Sequence, residues 1–408
     1  MTTGKRPFLI GGVSWRWLRR PSPRPGLTAK TYKPQLDGLR FFAVMAVIVA
    51  HNWDPALGPW ILNRVNLGGL GVGLFFVLSG FLITGILLQG RPGGPASGNR
   101  RWFMRQFYVR RFLRIFPIYY LVLIGITILG SERSEVMPWL FTYTTNIYIW
   151  DHLTFLRFSH FWTLAVEEQF YLVWPLLLLF LPRRWLVPTV VVLISLAPLY
   201  RLYATYRYPA DASLAGSFTS GTLTIGHLDS LGLGALLALA FRADAGGDRI
   251  RSVLIRIVLP VGLAIYVTVL ALSHYGVDDR AMLALDKTGA ALVFCWLIGV
   301  ASLGLRGTAG RILDYGPIVY LGKISYGIYI FHLLIPLIAF SWIAKHLGVS
   351  YSNTGFVNFV ATSLATFAVA ALSWHFFEAP INRLKRHFPY SREPVVVVHP
   401  REPIADRA

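Results

Sequence analysis

His51 and Arg40 stand eleven residues apart, and the run between them, from Phe41 to Ala50, is apolar. An ionisable group inside a membrane span is expensive to place, which makes such a residue a functional candidate by default. A second feature, the pair Glu167 and Glu168, lies in the apolar stretch FWTLAVEEQFYLVWP. A carboxylate that orients an imidazole, with the imidazole taking a proton from a hydroxyl, is the pattern of general-base acyl transfer. Neighbouring residues on a helix point about 100° apart, so Glu167 and Glu168 cannot face the same partner, and spacing alone leaves open which of them serves His51. An imidazole can also carry an acyl group covalently, so base and nucleophile both stay open for His51.

Two further groups of residues have spacing that could do chemistry. In RQFYVRRFLRIFPIYY, Arg105, Arg110, Arg111 and Arg114 precede Pro117. Arg110 and Arg114 are four apart and Arg111 and Arg114 three apart, so a helix would gather them on one basic face. Guanidinium groups of this kind suit the phosphates of a soluble donor such as coenzyme A, and equally satisfy the preference for basic residues at cytoplasmic membrane edges. In LGKISYGIYIFH, Tyr326, Tyr329 and His332 recur every three residues after Lys323 and Ser325, forming one polar stripe on an apolar helix. His227 and Asp229 fall near the outer end of another apolar run, where they would line an acceptor entrance or face water.

The elements that must hold these groups are membrane helices. The 408 residues are 55% hydrophobic and only 14% charged, which marks an integral membrane protein. The excess of 39 Lys+Arg over 19 Asp+Glu falls between the apolar runs, so it reads as topology rather than as a nucleic-acid surface. Runs long enough to cross roughly 30 Å at about 20 residues each fall at 36–56, 66–89, 112–130, 162–181, 185–204, 223–241, 255–274, 288–305, 316–342 and 355–377. These ten spans predict an all-α polytopic bundle. Arg91, Arg183, Arg242, Arg306 and Arg383 all follow even-numbered spans, which places both termini in the cytoplasm. At 1.5 Å per residue His51 then lies about 16 Å beyond Arg40, near or past mid-membrane, at a depth shared with Glu167 and Glu168. The apolar part of 136–160 is too short for a crossing and reads as an exoplasmic or re-entrant segment.

Three regions result: a basic cytoplasmic segment at 1–33, a transmembrane domain at 34–384, and a tail at 385–408 whose Pro- and charge-containing composition predicts disorder. Cys295, the one cysteine, sits in an apolar run and reads as a small core residue, with no disulfide and no cysteine metal cluster.

Several blocks coincide in order with a known family. LDGLRFFAVMAVIVAHN, GVGLFFVLSGFLIT, YVRRFLRIFPIYY, FWTLAVEEQFYLVWP, LGKISYGIYIFH and FFEAPINR, together spanning about 36 to 384, resemble the motifs of acyltransferase family 3. These are integral membrane enzymes that acylate hydroxyls of sugars, glycolipids or macrolides. The resemblance implies that Arg40 and His51 belong to the catalytic motif, Arg111 and Arg114 to a donor-side motif, and Glu168 to the acidic motif. It also implies an acyl-CoA donor, most commonly acetyl-CoA, with no permanently bound cofactor or metal, and a location in the bacterial cytoplasmic membrane. Some relatives append an extracytoplasmic esterase-like domain. The roughly 30 residues after Glu378 are too few for one, so a separate extracytoplasmic transferase is a possible partner. The competing class is a non-catalytic carrier of a lipid-linked glycan or small solute, which would use the same polar groups as a conduit.

Overall fold

The protein is described here from a computed structural model covering residues 33–53, 65–207, 221–243, 247–275, 284–348 and 355–391. The basic segment before Lys33 and the tail beyond Ser391 lie outside the described residues. Among the described residues every regular element is helical. In chain order they are α1 (Pro34–Asn52), α2 (Leu67–Leu87), α3 (Arg100–Ile128), α4 (Met137–Phe141), α5 (Thr145–His152), α6 (Trp162–Phe180) and α7 (Arg183–Arg207). There follow α8 (Leu228–Ala243), α9 (Asp248–His274), α10 (Asp286–Leu303), α11 (Gly307–Leu313), α12 (Gly316–Lys323), α13 (Ser325–Phe331) and α14 (Phe356–Ser373).

Eight helices among the described residues are long and apolar enough to cross a membrane, and a bent pair makes a ninth. The tenth expected span is α1, whose apolar run is diluted by Gln35, Asp37, Arg40 and His51. The outer faces confirm the setting: Leu121, Ile124, Ile128, Val192, Leu199, Ile257, Val267 and Leu364 are all exposed, a surface that only an apolar solvent tolerates. The 136–160 region forms the short helices α4 and α5 and no crossing.

Local sequence sets the helix starts. Pro34 opens α1, where its missing N–H costs nothing. The side chains of Asn66 and Asn99 cap α2 and α3 by accepting from Gly69 N (2.8 Å) and Trp102 N (2.9 Å). The bundle is then drawn tight by small residues, as lipid-embedded helices require. A side chain on Gly80 would strike the Leu231 carbonyl of α8, and one on Gly234 would strike the Val77 carbonyl of α2. Gly322 of α12 abuts the Asp37 carbonyl of α1 in the same way. Helix α2 thereby sits between two cores, one shared with α1, α8, α9 and α10, the other with α3, α6, α7 and α8. A third core joins α1, α3, α6, α13 and α14.

The expected span 316–342 is not one rod. It bends by 60° between α12 and α13, and Ile335–Phe340 continues as a wide π-type turn. The bend falls at Ile324, directly after Lys323, and exposes the last carbonyls of α12 to new partners.

These contacts make a test. Gly234→Leu should overpack the α2–α8 seam by about 1–3 kcal/mol or more and lower the melting temperature of the detergent-solubilised protein. Gly85→Leu, at an exposed position with nothing within 4 Å, should leave it unchanged or raise it.

Candidate functional site

A cavity of about 110 Å³ opens between α1, α2, α3, α6 and α13, of the order of the roughly 150 Å³ that accepts a benzene-sized group. Its charged lining comes from Arg40, Arg111, Arg114, Glu167 and Glu168, with Ser79, Tyr171, Tyr326 and Tyr329 among them. Three guanidiniums and two carboxylates from three helices thus meet in one place.

Each of these groups is held by something specific. Arg40 Nη1 donates to Asp37 Oδ1 at 2.7 Å, one turn back on α1, so the arginine of the first motif is paired along its own helix. Arg114 Nη2 donates to the Lys323 carbonyl at 3.3 Å, one of the groups presented by the α12–α13 bend, and its guanidinium lies over the Trp374 ring at 5.4 Å. Arg111 lies over the Tyr171 ring at 4.7 Å. Glu167 accepts from Ser79 Oγ at 2.5 Å, and Ser79 in turn accepts from the Tyr171 hydroxyl at 2.9 Å. Tyr171 is four residues after Glu167 on the same face of α6. Next along, Gln169 donates to the Tyr143 carbonyl (3.0 Å) and to Asn146 Oδ1 (2.9 Å), fixing α6 against the α4–α5 region.

Glu168, one 100° step further round α6, lines the same cavity beside Tyr326. The expected pairing of one of these glutamates with His51 is not formed: among the described residues neither glutamate has a hydrogen bond or ion pair to His51. Both carboxylates face the arginines instead.

His51 lies at the opposite end of α1 from Arg40, in its last turn, where its residue is exposed. Its Nδ1 donates to the Val47 carbonyl at 2.9 Å, because a carbonyl can only accept. That fixes the tautomer and leaves Nε2 as a lone-pair nitrogen. The ring neighbours His332 at a centroid distance of 5.1 Å, and His332 neighbours His160 at 4.9 Å. Between these imidazoles and the cavity lies one layer of side chains, in which the Tyr329 and Thr163 hydroxyls are 2.6 Å apart and each lies within 3.0 Å of the His160 carbonyl oxygen; with one proton apiece, one hydroxyl donates to the other and that one donates to the carbonyl.

Two of the expected site residues are engaged elsewhere. Arg110 donates to the carbonyls of Lys385 (2.7 Å) and Phe388 (3.1 Å) and lies over Tyr390 at 4.8 Å, so it binds the first residues of the tail rather than a donor phosphate. Those residues, up to Ser391, pack on α3 through Phe103 and Tyr390, stacked at 4.9 Å. Asp229 is fully buried and neither lines an entrance nor meets water: Arg201 Nη2 at 2.8 Å and the Thr288 hydroxyl at 2.7 Å both donate to its Oδ2. His227 is stacked on Trp162 at 5.2 Å and bonded to the Gly221 carbonyl.

The sequence reading missed Ser79, Tyr171 and His160. Ser79 is a lone hydroxyl in an apolar run and Tyr171 keeps helical spacing to Glu167, so both carried a signal. His160 stands just before α6 with no periodic partner, and only the fold reveals its neighbours.

The buried ion pair makes a test. Arg201→Ala strands the Asp229 carboxylate and should cost about 3–5 kcal/mol, read as a lower melting temperature. The double replacement Arg201→Met with Asp229→Leu should recover most of that loss.

Residues 33–375 match the family described as an acyltransferase domain. Among curated proteins, the chain is similar to a putative peptidoglycan O-acetyltransferase, YrhL, of Bacillus subtilis, 31% identical over 383 residues that cover 86% of this chain and 55% of the relative. It is 28% identical over 383 residues to the peptidoglycan O-acetyltransferase OatA of Listeria monocytogenes, covering 87% and 56%. A putative O-acetyltransferase of Staphylococcus aureus is 28% identical over 374 residues, covering 86% and 58%. The chain therefore spans little more than half the length of these relatives. No solved structure matches it.

Proposed function

The chain belongs to the acyltransferase domain family, and from that premise we propose that it is a multi-pass membrane O-acyltransferase that moves an acetyl group from acetyl-CoA to a hydroxyl of an envelope polysaccharide. The acceptor class is taken from the relatives named peptidoglycan O-acetyltransferases. The observation that carries the mechanism is the disposition of α1. One end presents Arg40 to the cavity, and the other presents a histidine whose basic Nε2 is left free by the Val47 bond.

In this reading the donor enters at the arginine end, which faces the cytoplasm. Arg111 and Arg114 neutralise its phosphates in the cavity, and the thioester reaches on between the helices towards the histidine end of α1. Glu167, held by Ser79, and Glu168 balance the three guanidiniums when the donor is absent. The acceptor approaches the exposed end of α1, where His51 Nε2 removes the hydroxyl proton as the oxygen attacks the thioester carbonyl. The C–O bond forms, the C–S bond breaks, and coenzyme A leaves as the thiol. The chain lies in the cytoplasmic membrane, with the arginine end inward, in keeping with the basic loops.

The test is transfer of label from acetyl-CoA into glycan by the purified full chain in liposomes. His51→Gln should lower kcat by about 10²–10⁴-fold with the protein still folded. Arg111→Ala should chiefly raise KM for acetyl-CoA. Movement of glycan across the liposome without ester formation, undiminished in His51→Gln, would replace this reading with that of a carrier.

A further inference from the structure

The last of the sequence blocks, FFEAPINR, places Glu378 in a membrane-spanning helix, where a carboxylate is costly to bury. Local chemistry decides where it points. Pro380 has no N–H to give and its ring crowds the carbonyl four residues back, so the helix ahead of it widens into a π-type turn, Trp374–Glu378, closed by Ala379 N on the Trp374 carbonyl. That turn leaves Phe376 on the exposed face and buries Glu378, which is 4% exposed.

The surroundings of Glu378 put it behind the arginine end of the cavity. Ser373 Oγ donates to its Oε1 at 3.1 Å, and the same oxygen lies 3.1 Å from where a Cβ on Gly327 of α13 would stand. Gly327 directly follows Tyr326, which lines the cavity together with Arg114. Trp374, the first residue of the turn that Glu378 ends, lies under the Arg114 guanidinium at 5.4 Å, and Arg114 is the cation whose charge reaches Glu378. Among the described residues Oε2 has no hydrogen bond or ion pair. Arg114 is placed by the Lys323 carbonyl and the Trp374 ring, so the carboxylate is not needed to hold it. What Glu378 adds is charge.

We propose that Glu378 is a positioning residue of the donor end: acting through Arg114, its carboxylate offsets part of the guanidinium's charge, so that the phosphates of coenzyme A are held loosely enough for the spent thiol to leave. This rests on the acyltransferase reading above. Donor and product carry the same phosphates, so an arginine that grips one grips the other, and turnover requires the product to go. A fixed negative charge behind the guanidinium weakens the hold on both alike.

The experiment is calorimetric titration of the purified full chain in nanodiscs with coenzyme A, which binds without reacting. Glu378→Gln can still accept from Ser373 and removes only the charge. It should bind coenzyme A about tenfold more tightly, and inhibition by the product in steady state should tighten by the same factor. In an Arg114→Gln background the same change should have little effect, as expected where one residue acts through the other. Glu378→Leu, which asks for no hydrogen-bond partner, gives the same reading if the amide variant does not fold. Equal affinity in wild type and Glu378→Gln overturns the proposal. Weaker binding does so too, because it would make Glu378 a support for the arginine instead of a brake on it. A tightening that persists in Arg114→Gln removes the route through Arg114. A wild-type chain that binds no coenzyme A removes the donor reading itself, whereas wild-type binding beside an unchanged Glu378→Gln removes only the role of Glu378.

Discussion

A charged side chain in a bundle with apolar outer faces has to find its counter-charge or its hydrogen bonds inside the bundle, and much of the internal architecture follows from that constraint. Arg201 is satisfied four times over, by Asp229, Thr288 and the carbonyls of Gly226 and Ala284. Arg91 turns inward to the carbonyls of Leu178 and Leu181 at the end of α6. Arg40 takes Asp37 from its own helix, and Arg114 takes a carbonyl released by a helix bend. The ion pairs and backbone carbonyls do more than stabilise: they fix which helix ends can approach one another and where a cavity is left between them.

The constraint also explains what the sequence made legible. Arg111 and Arg114 share a face of α3 because they are three residues apart, which spacing discloses, but their partners lie on other elements: Tyr171 under Arg111, the Lys323 carbonyl for Arg114, and Ser79 for Glu167. Arg110 has the same spacing but a different fate, since its acceptors are carbonyls some 275 residues further on. Asp229 read as an entrance residue because its partner Arg201, 28 residues earlier, passed as part of an ordinary apolar span. The bend at Ile324 had no proline to announce it. His51 was visible from the start, yet its neighbours are histidines rather than a glutamate, and His160 and His332 come from elements far from it in sequence. The ten-span count came within one or two of the helices observed, and the ambiguous 136–160 region resolved as two short helices.

Family membership and geometry support each other at different scales. The match over 33–375 says what kind of chemistry the bundle serves, and the relatives' names suggest an acceptor. The structure adds that Arg40 and His51 stand on one helix, with His51 in its last turn. Helix α1 is fixed near its arginine end by Gln35, which reaches both Leu305 and Asp314, and near its histidine end by Asn52 on the His332 carbonyl.

The single layer of side chains between the cavity and His51 also has a bioenergetic consequence. A protein with polar groups opening from both ends risks becoming a pore, and a pore would discharge the ion gradients on which the cell depends. Tyr329, Thr163 and the His160 backbone close the gap with hydroxyl contacts, and Phe75 packs edge-on against Tyr329 at 6.3 Å. A layer packed in this way keeps the polar cavity and the imidazoles from joining into one continuous polar channel through the bundle.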